Sequence, residues 1–244
     1  MNSSAATRLR LSIFAIAMTL LLLAAGCGGE PETEELEVSL DELLANTGEE
    51  LAAMSSVKFE MIDEMESGAK FFEATLKKVE GEVSNPDSVR LLVDVVAGLG
   101  FAEIEIVAIG EESYIKFSRD APWLPLPLEQ VPFNFVRLGV TLSDLLPVMQ
   151  NATIVGRESL DGDRVVRVDG TLVSDELSNL ITSVDSGYPI ALSLWIEEEG
   201  HTLRRLRIGG QIFEEDAPET TRLINILDVN VPVDIQLPDI ASGS

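Results

Sequence analysis

The sequence predicts an α+β domain: a meandering antiparallel sheet of about ten strands with three short or medium helices. Period-two alternation of apolar and polar residues recurs in short segments from Val57 to Val229. Strong turn chemistry separates several of them, the NPDS run at residues 85–88 and the Asp161-Gly162 dipeptide above all. Only three stretches carry helical spacing. At 244 residues and 45% apolar composition, the chain has enough material for one sizeable core.

The first helix starts after Ser39, where Leu40, Leu43, Leu44, Leu51 and Met54 share a stripe and Ser39 with Glu42 has capping-box spacing. Gly48 costs about 1 kcal/mol relative to alanine, which leaves room for a break or a loosened turn at residues 46–48. Strand one follows, with Val57, Phe59, Met61 and Met65 alternating against Lys58, Glu60, Ile62 and Glu64. A second alternation covers residues 74–83, and a third sets Val89, Leu91, Val93 and Val95 on one face. Residues 97–100 close a hairpin onto residues 101–109, where Ala102, Ile104, Ile106 and Ala108 oppose Glu103 and Glu105. A short strand is expected at residues 114–117.

Pro122, Pro125, Pro127 and Pro132 then exclude a continuous element over residues 121–133. This loop is unusually apolar and must cover something greasy. Trp123, Leu124, Leu126 and Phe133 are lid candidates; the alternative is a crossing loop that plugs the core edge. Residues 141–149 read as a short or kinked helix, with Thr141 as N-cap and Pro147 near its end. A hairpin joins residues 152–160 to 164–173, Ser174 caps a short helix through Leu177, Leu180 and Ile181, and Ile190, Leu192, Leu194 and Ile196 mark the next strand. The last strands cover residues 202–213 and 222–229.

Composition excludes several functions. With 42 acidic residues against 17 basic ones the net charge is −25, which leaves no basic stripe for nucleic acid. One cysteine and one histidine exclude a Cys/His metal cage and an intramolecular disulfide, and leave His201 as the one imidazole, placed in a surface turn. Gly98-Leu99-Gly100 leads into a strand and lacks the third glycine of a dinucleotide loop. The acidic runs at 197–199 and 214–216 lack the ligand order of a Ca²⁺ loop and read as solvated turns. Neither catalytic residues, nor a metal site, nor a cofactor is expected.

Arg8 and Arg10 precede a fifteen-residue apolar stretch, residues 11–25, and the small residues Ala24, Ala25 and Gly26 lead directly to Cys27. This is the layout of a secretory signal, and LAAGC resembles the lipobox of bacterial lipoproteins, with Ala24 where the pattern usually carries leucine. The resemblance implies cleavage after residue 26, acylation of Cys27, and attachment outside the cytoplasm through two or three acyl chains. Cleavage removes two arginines and no acid, so the mature charge becomes −27. Residues 27–38 read as the acylated cysteine and an acidic tether of at most about 40 Å. Residues 39–244 make a single domain.

An aliphatic sheet with little polar furniture suits a lipid lining. The inward candidates are Val57, Phe59, Met61, Leu91, Val93, Ile104, Ile106, Leu192 and Leu194, joined by Leu145 and Leu146 of the 141–149 helix. The same alternation suits a solid core equally well.

The order of lipobox, acidic tether, the helix LLANTGEELAAMSSVKFEM, the segment DLLPVMQNATIVGRESLDGDRVVRVDGTLVSDEL and LSLWIEEEGHTLRRLRI resembles the LppX/LprG-type bacterial lipoproteins. Gly156-Arg157-Glu158, Gly170-Thr171, Trp195-Ile196, residues 201–205 and the closing VPVDI at 231–235 carry it most specifically. The resemblance implies a curved half-barrel sheet wrapped around a few helices, as in LolA and LolB, with a hydrophobic cavity. It also implies a lipid or glycolipid cargo, carried across or within the cell envelope, and an envelope transporter as a candidate partner. Two competing classes are an interaction lipoprotein with a filled core and a hydrolase using paired carboxylates.

Overall fold

In the computed structural model the described residues are 38–98 and 100–240. The signal segment, Cys27, most of the tether and Leu99 lie outside them. Twelve strands form one antiparallel sheet: β1 (Ser56–Asp63), β2 (Lys70–Phe71), β3 (Ala74–Ser84), β4 (Ser88–Ala97), β5 (Gly100–Ile109), β6 (Glu112–Lys116), β7 (Leu124–Pro125), β8 (Gln150–Leu160), β9 (Asp163–Val173), β10 (Pro189–Glu197), β11 (Leu203–Gly209) and β12 (Thr221–Val229). Their order is β7-β6-β5-β4-β3-β1-β12-β11-β10-β9-β8, with β2 beside β3. The sheet stays open and curves into a half-barrel around two α-helices, α1 (Leu40–Ala53) and α2 (Leu138–Leu145). The two strands beyond the expected ten, β2 and β7, are two residues long, too short for any period to show.

The α1 helix begins as its sequence dictates, Ser39 Oγ accepting the Glu42 N–H at 3.2 Å. The helix runs unbroken through Gly48. The Gly48 carbonyl accepts Ser143 Oγ from α2 at 2.9 Å, so the residue lacking a side chain sits where the second helix passes. The two helices run antiparallel, Gly139 against Leu51 and Ser143 against Gly48.

Four expectations are corrected. The second helix starts at Leu138, not at Thr141; Thr141 is buried, and its N–H donates to the Arg137 carbonyl. Arg137 offers no capping side chain, so no sequence signal marks this start. The Ser174 segment is a 3₁₀ turn, Ser174–Leu177, and the serine hydroxyl bonds across the loop to the Asp185 carbonyl and the Tyr188 N–H. The strand expected through residue 213 stops at Gly209, where Gly210 takes a φ of 126°. Strand β1 stops at Asp63, leaving Met65 59% exposed.

Asp63 organises the loop after β1. Its carboxylate accepts Ser67 Oγ at 2.8 Å, the Gly68 N–H at 2.8 Å and the Ala69 N–H at 2.9 Å. Burial works to raise its pKa, but the hydrogen bonds from Ala69, Ser67 and Gly68 outweigh it and hold the carboxyl below the usual range. A carboxyl depressed in the native state contributes stability above its unfolded pKa of about 3.9, and loses it as pH falls through the native value. The wild type should therefore lose more stability between pH 6 and pH 3 than Asp63→Asn does. Urea midpoints at the two pH values check this; equal losses would refute it.

The convex face is charged. Lys58 pairs with Glu82 at 2.9 Å, Arg207 with Glu64 at 2.8 Å, and Glu105 lies between Arg90 at 2.9 Å and Lys116 at 2.7 Å. Trp195 lies between the guanidinium groups of Arg167 and Arg205, 5.3 and 5.8 Å from its ring, and donates from Nε1 to Glu158 at 2.7 Å. Such half-exposed pairs are screened by water and each adds little to stability. They keep this face wet and fix which side of each strand turns inward.

Candidate functional site

Register places the inward residues in rows across the concave face. One row runs Ile104, Val93, Val79, Met61, Ile224, Leu206, Leu194, Val168 and Ile154 over nine strands. The next runs Ile115, Ile106, Leu91, Gly81, Phe59 and Ile226. Gly81 is required there: a β-carbon on it would stand 2.1 Å from the Phe59 ring. Together the rows make an apolar band without a charged side chain.

Residues 126–136 cross this band as a strap. At one end Leu126 exchanges hydrogen bonds with Ser113 on β6, its N–H donating to the Ser113 carbonyl at 2.9 Å and its carbonyl accepting Ser113 Oγ. At the other end the Asn134 N–H donates to the Leu180 carbonyl at 2.8 Å, the Thr182 N–H to the Pro132 carbonyl at 2.8 Å, and Phe133 bridges Ile181. Phe133 and Phe135 point at the sheet. Phe135 lies 4.7 Å from Phe59, and Phe133 stacks on Phe71 at 6.3 Å and on Phe135 at 5.5 Å.

Between the strap and Val89, Leu91 and Ile106 remains a cavity of about 20 Å³, enough for about one water. The surfaces are thus pressed together, with no room for a larger group between them.

All eleven residues expected to line a cavity, Val57, Phe59, Met61, Leu91, Val93, Ile104, Ile106, Leu145, Leu146, Leu192 and Leu194, are at most 5% exposed. Phe59, Leu91 and Ile106 meet the strap directly. Of the four lid candidates, Leu126 and Phe133 are buried in the strap. Leu124 pairs with Ile115 and is 46% exposed, and Trp123 lies half-buried under the Lys116 ammonium at 4.7 Å. Phe71 and Phe135 complete the aromatic cluster, yet the sequence does not separate Phe71 from half-buried Phe72.

Two polar positions depart from expectation or stand apart. Asp216, read as part of a solvated turn, is buried and binds fully buried Arg222 at 2.8 Å. His201 lies in its turn at a φ of 55°, half-buried. Among the described residues no group of three or more His, Cys, Asp or Glu side chains is placed to hold a metal ion, and no helix is long and apolar enough to cross a membrane.

An open antiparallel half-barrel with an uncharged apolar band on its concave face, covered by a strap, defines a class of curved-sheet proteins with an apolar inner face. The chain belongs to the LppX_LprAFG lipoprotein family, whose profile matches residues 41–216. It is 24% identical over 237 residues to the lipoarabinomannan carrier protein LprG of Mycolicibacterium smegmatis, covering 93% of this chain and 95% of that one. The fold matches LprF from Mycobacterium bovis with a TM-score of 0.61 at 18% identity, over 80% of this chain and 95% of that one. It matches LppX of Mycobacterium tuberculosis with a TM-score of 0.53 at 18% identity, over 81% and 100%.

Proposed function

We propose that this chain is a cell-envelope lipoprotein that binds acylated lipids or glycolipids between its concave apolar band and the strap, and carries them across or within the envelope. The signal at residues 1–26 would be removed, Cys27 acylated as the anchor, residues 27–38 would form the tether, and residues 39–244 would be the lipid-binding domain. The observation that carries the reading is the uncharged band across nine strands, roofed in part by a strap held at its two ends. The carrier named among its relatives supports it. Binding would be driven by burial, at about 25 cal/mol per Å² of apolar surface, with no covalent step.

The small cavity favours a second reading, a filled-core lipoprotein that acts on envelope proteins through its surface. Native mass spectrometry with organic extraction separates the two, on residues 27–244 carrying Cys27→Ser and purified without detergent. A bound lipid of discrete mass is expected. An apo mass alone, with mass and melting temperature unchanged after diacyl or triacyl lipid is added, would overturn the carrier reading.

A further inference from the structure

The end of the sheet at which β1, β4 and β6 finish and β3 and β5 begin carries large apolar side chains in water. Phe101, at the start of β5, is 84% exposed; Met65, just after β1, 59%; and Phe117, just after β6, 52%. Since Glu105 pairs with Lys116, Phe117 falls beside Ile104, and Phe101 lies three residues, about 10 Å, further along. Half-buried Trp123 is nearby through its contact with Lys116. Exposed aromatic groups gathered at loop tips mark an interaction site.

Charge indicates what meets them. Residues 64–78, 94–104 and 116–124 hold five cations, Lys70, Lys77, Lys78, Lys116 and Arg119, against six acids, Glu64, Glu66, Glu73, Asp94, Glu103 and Asp120. The whole chain holds 17 cations against 42 acids. The β3–β6 part of this rim is therefore close to neutral, whereas the β9–β10 and β11–β12 loops at the same end carry Asp175, Glu176, Asp185, Glu214, Glu215 and Glu219 with no cation, so approach to a lipid surface meets the least repulsion at the aromatic tips. The antiparallel helix pair adds a geometric point. Because α2 hands the chain to Gln150 at the start of β8, the amino-terminal turn of α1 lies toward that same end of the sheet. Val38 thus lies toward the end of the sheet that also carries the aromatic tips.

We infer that this rim is a bilayer-docking edge, which inserts Phe101 and Phe117 into the headgroup and upper acyl region of a lipid membrane. The rings supply the apolar contact, while Lys70, Lys77 and Arg119 remain at headgroup level, their aliphatic stems along the interface. Docking of this kind depends on apolar insertion, so it needs no anionic lipid and changes little with salt.

The test uses unacylated residues 27–244 with Cys27→Ser, which keep every described residue, in flotation with phosphatidylcholine vesicles. The wild type should float with the vesicles in 0.1 M and 1 M salt alike, and Phe101→Ser/Phe117→Ser should lower its partition coefficient by about tenfold or more. Replacing a third of the lipid by phosphatidylglycerol should weaken binding, given the acidic body. No flotation of the wild type, or equal flotation of the double variant, would overturn the inference. So would a wild-type dimer in sedimentation that the double variant abolishes, because the rings would then be covered by a second copy. Phe117 continues the concave row of Ile104, whereas Phe101 lies on the opposite face of β5, so the lipid mass retained by Phe101→Ser alone should match that of the wild type; its loss in both proteins would defeat the carrier reading and leave the docking result standing.

Discussion

Replacing Asp216 by alanine should cost about 3–5 kcal/mol of folding stability, because it strands a positive charge where no water reaches it. Both side chains of the Asp216–Arg222 pair are fully buried. The carboxylate accepts two bonds from Arg222 Nη2, at 2.8 and 2.9 Å, and also the N–H groups of Ile212 at 3.0 Å and Phe213 at 3.2 Å. Arg222 further stacks its guanidinium 5.6 Å from the Phe213 ring, while its Nε and Nη1 have no protein partner. Removing the one carboxylate leaves the guanidinium without a counter-charge and two backbone donors unpaired. In urea the midpoint should fall by about 1–3 M. The double variant Asp216→Ala/Arg222→Met should recover most of that loss, since an apolar replacement of a whole buried pair is often neutral or better. A single variant with an unchanged midpoint would show that the pair is solvated.

Gly139→Ala should be the next most damaging change. A β-carbon at this position would stand 2.3 Å from the Leu51 carbonyl oxygen and 3.4 Å from the Met54 β-carbon. A backbone oxygen cannot rotate aside, so α1 and α2 must separate, and overpacking of this sort costs about 1–3 kcal/mol or more. The effect reaches the strap, which enters α2 through buried Phe135 and Leu138. Gly48→Ala on the facing helix is the control. Its nearest neighbours would be Ser143 Oγ at 3.4 Å and Leu146 Cδ1 at 3.7 Å, ordinary contacts, and alanine favours the helix by about 1 kcal/mol. Thermal melts should show a lower midpoint for Gly139→Ala and an equal or higher one for Gly48→Ala; a reversed order would refute the described crossing.

The contrast between what the chain displays and what it conceals follows from the reach of each interaction. Strand β4 is legible because one face is wet: Val89, Leu91, Val93 and Val95 are each at most 2% exposed, while Arg90 and Asp94 face solvent. The β8–β9 hairpin is legible because Asp161 and Gly162, at φ values of 55° and 100°, supply the left-handed turn that their sequence favours. The return of β12 to lie beside β1 is a contact between distant segments, and no local pattern encodes it. The bulge in β3 between Leu76 and Lys78 shifts the inward face midway, which plain alternation misses. Asp216 sits in an acidic run whose other members remain exposed, and only Arg222 in the folded chain distinguishes it. At the candidate site the lining residues were readable as apolar and inward. Their closure under the strap was not, because a filled and an openable interior need the same residues in the same order.

The two margins of the sheet have unequal lengths, two residues in β7 and eleven in β8. A long unpaired margin is ordinarily a template for a neighbour's strand. Here the β8–β9 register slips twice, between Gln150 and Thr153 and again between Ile154 and Gly156, so β8 offers no straight ladder of donors and acceptors. For copies side by side on one membrane, as the proposed anchor would place them, that irregular margin discourages sheet-to-sheet stitching without recourse to their shared negative charge.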